Sequence, residues 1–274
     1  MKIIEKFLKF IALMMFLILA FFPLYWVIIT SLKKSTEIYT FPLKYLPKIV
    51  SFESYRQLFV YSNFATYFKN SFTVALIASF GALLISMFSG YSLSRYGFKF
   101  KKYILVSLFF THMIPLFMVM VPLYDMFSKV RMLDKLITLI ILYTNMMIPF
   151  STIMAKAFFD RIPVSLEEAA EIDGCTKVQA LFKIVIPLTL PGLAAVFSFS
   201  FINTWNELFL AVMFINSESK MTIPVALNSY VSKMGVSWDL MSAGIVVALL
   251  PTIIVFAFAQ RFIVAGLTQG ATKE

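Results

Sequence analysis

Long apolar runs recur along the chain, and each is long enough for a helix to cross a lipid bilayer. A hydrocarbon core about 30 Å thick takes about 20 residues of helix, and a backbone inside lipid must satisfy its own hydrogen bonds. The second run is rich in small residues, among them Gly81 and Gly90, which permit close helix packing in lipid. The sequence therefore predicts a single-domain, all-α membrane protein over residues 1–274. Its transmembrane spans are expected at residues 10–29, 71–93, 103–127, 136–158, 191–215 and 241–263.

The composition excludes several other classes of protein. Only 14% of the residues are charged, against about a quarter in soluble domains. The net charge of +10 does not indicate a nucleic-acid partner, because the basic residues lie in short groups between apolar runs, where they suit a lipid surface. Cys175 is the only cysteine, which excludes an intrachain disulfide and a cysteine metal cluster. His112 is the only histidine. A packing or pore-lining role is favoured for it, and no metal site is predicted.

Two basic clusters orient the predicted spans. Three lysines fall within residues 2–9, and residues 94–102 contain four basic residues and no acidic residue. Basic residues concentrate in short cytoplasmic segments, so the N-terminus and the turn after span 2 are expected inside the cell. The first span is too long for the core of a cleavable signal peptide, which is about 7–15 residues. Six crossings then place the C-terminus in the cytoplasm as well.

The segment between spans 4 and 5 is the most acidic part of the chain. Four of the 14 acidic residues fall there within seven positions: Glu167, Glu168, Glu171 and Asp173. Two short helices are predicted, because Ser165 and Thr176 are each followed three residues later by Glu or Gln, as in a capping box. Gly174 is expected to end the first helix. Pro163 and Pro187 are expected to bracket the pair, since proline lacks an amide proton.

This segment, residues 161–187, resembles the EAA loop of ABC-type import permeases. The family pattern is E-A-A, three residues, Gly, nine residues and then I-x-L-P. The chain matches it at Glu168, Ala169, Ala170, Gly174, Ile184 and Pro187. The one departure, Ile186 in place of Leu, keeps the bulk and the apolar character. In that family the loop is a coupling helix that docks into a cleft on a separate ATPase subunit, so the resemblance implies that these six residues couple the chain to an ATPase.

Polar residues interrupt the predicted fifth span. At about 100° per residue, they share one face: Ser200, Asn203, Thr204, Asn206 and Glu207. A charge at the bilayer centre costs about 2.5–3.5 kcal/mol on insertion scales, so it normally faces a bundle interior or a watery path. The stripe could hold helices together, or Asn203, Asn206 and Glu207 could line a substrate path. The W-N-E phrase resembles sugar permeases at the same place, which favours the path.

Further phrases extend the resemblance over nearly the whole chain. MIPLFMVMVPLY at residues 113–124 and the tail AQRFIVAGLTQGATKE resemble maltose-type sugar permeases. The resemblance implies a type I ABC importer permease with a second, different permease subunit, a cytoplasmic ATPase dimer and an extracytoplasmic sugar-binding protein. Gly266 and Gly270 allow close backbone approach, and the resemblance implies that the surface they approach is the ATPase pair.

The implied function is translocation of a sugar, a di- or oligosaccharide, into the cell through the cell membrane. The chain is expected to do no covalent chemistry and to bind no cofactor. Because it lacks the ATP-binding motif G-x-x-x-x-G-K-[ST], ATP and Mg²⁺ are expected on the partner ATPase. Import of glycerol-phosphate or another small solute is an alternative within the family. An ion-coupled secondary transporter with relay groups at Glu207, His112 and Asp125 is a further alternative, although no internal repeat is clear. An intramembrane enzyme is disfavoured, since the spans hold no evident catalytic set.

Overall fold

Most of the chain is helical. The computed structural model describes the backbone of residues 2–232 and 235–271, and the side chains of residues 4–231 and 235–260. In chain order the helices are α1 Lys2–Ser31, α2 Ser35–Ile38, α3 Glu53–Arg56, α4 Phe64–Arg95, α5 Lys101–Met113, α6 Leu116–Lys129, α7 Leu136–Phe159, α8 Ser165–Ile172, α9 Lys177–Ala180, α10 Ile186–Trp205, α11 Phe209–Phe214, α12 Ile223–Ser229 and α13 Trp238–Ala271. Two short strands, β1 Val231–Ser232 and β2 Gly235–Val236, pair antiparallel.

The helices supply the predicted number of membrane crossings. Within the residues that the structure describes, five helical segments are long and apolar enough to span a bilayer: Ile4–Ser31, Phe64–Arg95, Leu136–Phe159, Lys177–Trp205 and Trp238–Gln260. The pair α5 and α6 makes a sixth if its two helices are counted as one broken span. Each predicted span overlaps one of these helices or the broken pair. The prediction of an all-α membrane protein with about six spans is confirmed.

The predicted third span is broken rather than continuous. The axes of α5 and α6 differ by 94°, and the break lies at Ile114 and Pro115. Ile114 is extended, with φ of −74° and ψ of 118°, because the proline ring that follows it disfavours helical backbone. Pro122 remains inside α6. Proline therefore turns the chain at one of two positions in the same predicted span.

The fifth span begins earlier than predicted and ends earlier as a regular helix. A π-helical turn, Leu181–Val185, joins α9 to α10, so the chain is helical from Lys177 to Trp205. Pro187 does not end the second loop helix, and that prediction is wrong. It is the second residue of α10 and follows the end of the π-helical turn after one intervening residue. Local π adjustments of this kind re-satisfy the carbonyls that a proline leaves without an amide partner.

The described residues form two compact units, drawn from Met1–Phe68 with Ile223–Leu250 and from Lys69–Thr222 with Pro251–Glu274. In the first unit, the Ser31 and Tyr55 hydroxyls lie 2.8 Å apart, and the Ser35 hydroxyl donates to Asp239 over 2.6 Å. The single domain expected over residues 1–274 stays a prediction.

The second unit contains the core that supports the EAA loop. Met87 and Tyr91 of α4 and Ala155 and Phe159 of α7 pack with residues that follow the loop turn: Leu181, Val185, Leu193 and Val196. Gly90 lets α4 approach α7 closely, since a methyl group there would lie 2.8 Å from the amide nitrogen of Lys156. Small residues in span 2 therefore allow the close helix packing that the sequence predicts.

Candidate functional site

The first half of the EAA loop is an eight-residue helix, α8, that stops at a glycine. Gly174 has a φ of 86°, in the left-handed region that glycine adopts without a Cβ penalty. Its amide donates to the Glu171 carbonyl over 3.1 Å, and the Cys175 amide donates to the Ala170 carbonyl over 2.9 Å. These are the two hydrogen bonds of a Schellman motif. The predicted end of the first helix at Gly174 is confirmed.

The second half of the loop starts at a complete capping box. The Gln179 amide donates to the Thr176 hydroxyl over 3.3 Å, and the Thr176 amide donates to the side-chain oxygen of Gln179 over 2.8 Å. Both hydrogen bonds satisfy amides that the first turn of α9 cannot pair internally. The capping box predicted at Thr176 is confirmed.

The other predicted capping box, at Ser165 and Glu168, is wrong. Val164 occupies the cap position of α8 with helical backbone, and no side chain caps the helix. The turn already begins at Pro163, whose carbonyl accepts from the Leu166 amide over 3.3 Å. Proline presets the helical φ, so Ser165 falls inside the first turn, where its hydroxyl is not placed as a cap.

The loop turns one acidic, partly apolar face outward. Ile172 is 87% exposed, and beside it the exposed acidic residues are Glu168, Glu171 and Asp173. Among the predicted ATPase-coupling residues, Ala169, Gly174 and Pro187 are also exposed, whereas Ala170 is buried and Ile184 is half-buried. The outward face of α8 therefore carries an apolar side chain beside three acidic ones.

The opposite face of α8 is tied to the end of α4 by buried charge. Glu167 accepts from the Tyr91 hydroxyl over 2.6 Å and pairs with Nε of Arg95. The Arg95 guanidinium also donates through Nη2 to the Ile162 carbonyl over 2.9 Å. The side chains of Arg95 and Glu167 are only 8% and 10% exposed. The ion pair and its hydrogen bonds therefore join span 2 to the start of the EAA loop.

A second polar cluster joins spans 2 and 4 beside this ion pair. Asp160 follows the last residue of α7, and its carboxylate accepts from Lys156 over 2.5 Å and from Ser94 over 2.7 Å. Although burial raises it, the hydrogen bonds from Lys156 and Ser94 bring the pKa of Asp160 below its ordinary value. The entrance to the EAA loop is thus held to both spans.

Sequence reasoning misses Arg95, Tyr91 and Glu167 as parts of the site. From its neighbours alone, Arg95 is one orienting charge of the turn after span 2, and Glu167 is one of four loop acids. A weak signal is present, because Glu167 and Ala170 lie three residues apart and share a helix face. If the small Ala170 packs inward, Glu167 must also point inward and needs a cationic partner.

Span 5 is broken beside its polar phrase, at Glu207. The regular helix ends at Trp205, and α11 begins at Phe209. The Glu207 carboxylate accepts from the Tyr143 hydroxyl over 2.6 Å and from the amides of Leu210 and Ala211 over 2.9 and 3.3 Å. Glu207 is buried. Its carboxylate therefore caps the N-terminus of α11 and, through Tyr143, joins the start of that helix to α7.

The expectation that five polar residues share one face of a continuous helix is wrong. Ser200, Thr204 and Glu207 are buried, whereas Asn203 and Asn206 are exposed and donate to carbonyls one turn back, over 2.8 Å each. The helix stops before Glu207 because the Leu210 and Ala211 amides donate to the Glu207 carboxylate, which competes with the backbone carbonyls that would continue the helix. The substrate-path role of Asn203, Asn206 and Glu207 stays a prediction.

Comparison with known proteins identifies the family. Residues 81–269 match the model of the family described as binding-protein-dependent transport system inner membrane component. The chain belongs to this family of permeases. It is 35% identical over 266 residues to the sulfoquinovosyl glycerol transport system permease protein of Agrobacterium fabrum, a match that covers 97% of this chain and 93% of that protein. It is 31% identical over 256 residues to the trehalose transport system permease protein of Mycobacterium tuberculosis, covering 93% of each.

Solved structures give the same fold for this permease. A chain of a bacterial ABC transporter involved in the import of the acidic polysaccharide alginate matches with a TM-score of 0.81 at 23% identity, over 94% of this chain and 96% of that chain. A chain of the MetNI methionine ABC transporter matches with a TM-score of 0.60 at 19% identity, over 72% of this chain and 92% of that chain. The fold class expected of a type I importer permease is confirmed.

Two other predicted features of the permease have different outcomes. Gly266 and Gly270 lie on the backbone of α13, but the side chains around them fall outside the described residues, so their contact with an ATPase stays a prediction. His112 is exposed, with its ring 5.5 Å from Phe150 in an edge-on arrangement. Among the described residues, no three His, Cys, Asp or Glu side chains lie close enough to hold a metal ion.

Proposed function

We propose that this permease is one of two different membrane subunits of an ATP-driven importer that carries a di- or oligosaccharide into the cell. Family membership supports a role in binding-protein-dependent transport. The relatives named above are permeases for sulfoquinovosyl glycerol and trehalose, and a further relative, 32% identical, serves diacetylchitobiose uptake in Streptomyces coelicolor. These names support a glycoside as the transported solute.

The observation that carries the proposal is the shape of the EAA loop. A two-turn helix is too short to be stable alone in water. However, α8 ends in a Schellman motif, and on its inner face Glu167 forms a buried ion pair with Arg95 of α4. Its outward face presents Ile172 and three acidic side chains. A rigid short helix that exposes an isoleucine surrounded by acidic side chains suits a cleft whose surface is basic or of mixed charge. We assign this cleft to the cytoplasmic ATPase dimer.

The remaining parts of the importer follow from this assignment. Both termini and the EAA loop lie in the cytoplasm, and a sugar-binding protein delivers solute on the other side of the membrane. ATP and Mg²⁺ are bound by the ATPase subunits, and the permease does no covalent chemistry. The driving force is therefore external to this chain.

Reconstitution tests the proposal. The permease, its partner permease and the ATPase subunit from the same gene cluster are placed in proteoliposomes with the cognate binding protein and ATP, and uptake of labelled sugars is measured. Uptake that needs both ATP and the binding protein is expected. Sugar uptake by the permease alone under a proton or sodium gradient would instead establish a secondary transporter, and uptake of glycerol-phosphate without sugar uptake would change the solute.

A further inference from the structure

The ion pair of Arg95 and Glu167 is buried, unlike the other charged side chains of α8. The other acidic residues of the EAA loop, Glu168, Glu171 and Asp173, are all exposed, whereas the pair is 8% and 10% exposed. A buried ion pair adds little stability over apolar side chains of the same volume. Its presence at this position therefore points to a role in fixing geometry.

The bonds of Arg95 reach both sides of the junction between span 2 and the loop. Arg95 is the last residue of α4. Its Nε meets Glu167 on α8, its Nη2 donates to the Ile162 carbonyl ahead of α8 over 2.9 Å, and its Nη1 donates to the Ser94 hydroxyl over 3.2 Å. A planar guanidinium with three separate acceptors resists rotation and sliding in a way that a single contact does not.

The second half of the loop is attached differently. Leu181 and Val185 are held by apolar packing against Met87 and Tyr91 of α4. Apolar burial is non-directional, so these contacts hold the loop close to span 2 without fixing its angle. Directional hydrogen bonds join α8 itself to span 2 at Arg95 and at the Tyr91 hydroxyl, which donates to Glu167 over 2.6 Å.

We propose that Arg95 is a positioning residue that makes α8 and the end of span 2 move as one body. The inference rests on the proposed function, in which the exposed face of α8 receives its motion from the ATPase. Docking uses the side of α8 that carries Glu168 and Ile172, whereas Arg95 holds the opposite side at Glu167. Removing the guanidinium therefore leaves the docking face in place and removes the charged link from α8 to span 2, while the hydrogen bond from Tyr91 remains.

The test measures coupling separately from docking. Arg95→Gln, Glu167→Gln and the double variant are reconstituted with the other subunits, and two quantities are determined: sugar transported per ATP hydrolysed, and ATPase subunit recovered per permease. Each single variant is expected to keep wild-type ATPase recovery and to lose about fivefold or more of its transport per ATP, the size of a typical coupling free energy. The double variant is expected to be no worse than Glu167→Gln alone, because that change already removes the charged partner of Arg95.

Matched variants control for charge and for folding. Lys9→Gln removes one basic charge from an exposed ion pair with Glu5 and is expected to leave transport per ATP unchanged. Arg95→Glu combined with Glu167→Arg rebuilds the pair in reverse and is expected to recover part of the transport per ATP. If the single charge variants fail to reach the membrane, Arg95→Lys decides, since it keeps the positive charge and removes the planar group that meets three acceptors.

The outcomes separate this inference from the proposed function. Wild-type proteoliposomes that show no ATP-driven sugar uptake contradict the proposed function itself. A coupled wild type with unchanged transport per ATP in Arg95→Gln and Glu167→Gln, or in Arg95→Lys where it decides, overturns the inference. It is also overturned if ATPase recovery falls in proportion to transport, because the pair would then only hold the docking face in shape.

Discussion

Glu207 lies at the break between α10 and α11 in span 5, and its carboxylate accepts hydrogen bonds from the backbone amides that the break leaves without helical partners. The first amides of α11 have no partner within that helix, and two of them, at Leu210 and Ala211, donate to Glu207. The Tyr143 hydroxyl donates to the same carboxylate from α7. One side chain therefore fixes both the direction of α11 and its attachment to span 4.

Glu207→Gln is expected to destabilise the permease. The carboxamide presents an NH₂ group to at least one of the three donors, so a buried hydrogen bond to a charged group is lost, at a cost of about 1.5–3 kcal/mol. Thermal unfolding of the purified permease in detergent measures the effect, with Asn203→Ala as an exposed control in the same phrase. An unchanged Tm together with altered sugar preference would instead favour a place for Glu207 on the substrate path.

Asp134 fastens the connection after α11. Its carboxylate accepts from the amides of Asn216 and Ser217 over 3.0 and 2.9 Å, from the Ser217 hydroxyl over 2.5 Å and from Lys220 over 2.8 Å. The hydrogen bond from Lys220, followed by those from Ser217, holds the pKa of Asp134 well below its ordinary value. A carboxylate with a lowered pKa stabilises the fold above its unfolded pKa, and that stabilisation is lost as the pH falls through the folded pKa.

Asp134→Asn is therefore expected to lower the free energy of unfolding by about 1–2 kcal/mol at pH 7, because charge-assisted hydrogen bonds become neutral ones. The difference from wild type should narrow once the pH drops below about 4, the ordinary value for an aspartate. Thermal unfolding at a series of pH values checks both points. A difference that stays the same from pH 7 down to pH 3 would show that Asp134 acts through shape alone.

At the scale of elements, the contact of α4 with α7 depends on Gly90. A Cβ at Gly90 would lie 2.8 Å from the Lys156 amide nitrogen and 2.9 Å from Cβ of Ala155. These atoms belong to the helix backbone or lie next to it, so they cannot swing aside. Gly90→Ala is expected to cost about 1–3 kcal/mol of stability through overpacking, measured as a lower Tm in detergent. Gly97→Ala is the control, because no atom in the described part of the chain lies within 4 Å of a Cβ there; equal Tm values for the two variants would contradict the close packing.

The EAA loop offers a cleaner test of backbone conformation. No atom of the described residues lies within 4 Å of the place that a Cβ would take at Gly174, so a substitution there acts chiefly through its φ of 86°. Gly174→Val is expected to cost about 1–2 kcal/mol of backbone strain and to release the ATPase subunit, whereas Gly174→Asn should retain it, since asparagine tolerates the left-handed region. Co-purification of the ATPase at matched membrane levels measures this, and equal recovery with both variants would remove the turn from the docking mechanism.

Hydropathy predicts the helices well and their breaks poorly. An apolar run of about 20 residues has one stable backbone solution in lipid, so its sequence is sufficient to predict it. Proline is less informative: Pro122, Pro149 and Pro187 lie within helices, whereas Pro115 lies at the 94° bend. Whether the freed carbonyls find partners depends on neighbouring helices, and local sequence does not show this.

Across the whole molecule, the residues that contact the EAA loop within this chain cannot be predicted from the sequence. The motif spacing predicts Gly174 and the Thr176 cap, because both are local signals. Arg95 and Glu167 are 72 residues apart, and no periodicity joins a basic turn to one of four neighbouring acids. Tertiary structure selects the pair, and it also selects which of the loop residues face outward.

The orientation of the whole molecule can be tested with its single cysteine. Cys175 follows the turn of the EAA loop, is partly exposed and forms no disulfide, and it should face the cytoplasm. A membrane-impermeant maleimide is therefore expected to label it in inside-out vesicles and not in intact cells, since the reagent cannot cross the bilayer. A bound ATPase dimer should reduce that labelling, because the turn would lie inside the contact.

A second cysteine position makes the orientation result decisive. Ser219 is exposed on the connection between spans 5 and 6, which should lie on the opposite side of the membrane. In a Cys175→Ser, Ser219→Cys variant, the labelling pattern is expected to reverse, with reaction in intact cells. Labelling of Cys175 in intact cells would invert the whole topology. It would also place the acidic face of α8 outside the cell, where no ATPase could reach it, so the proposed importer mechanism depends directly on this measurement.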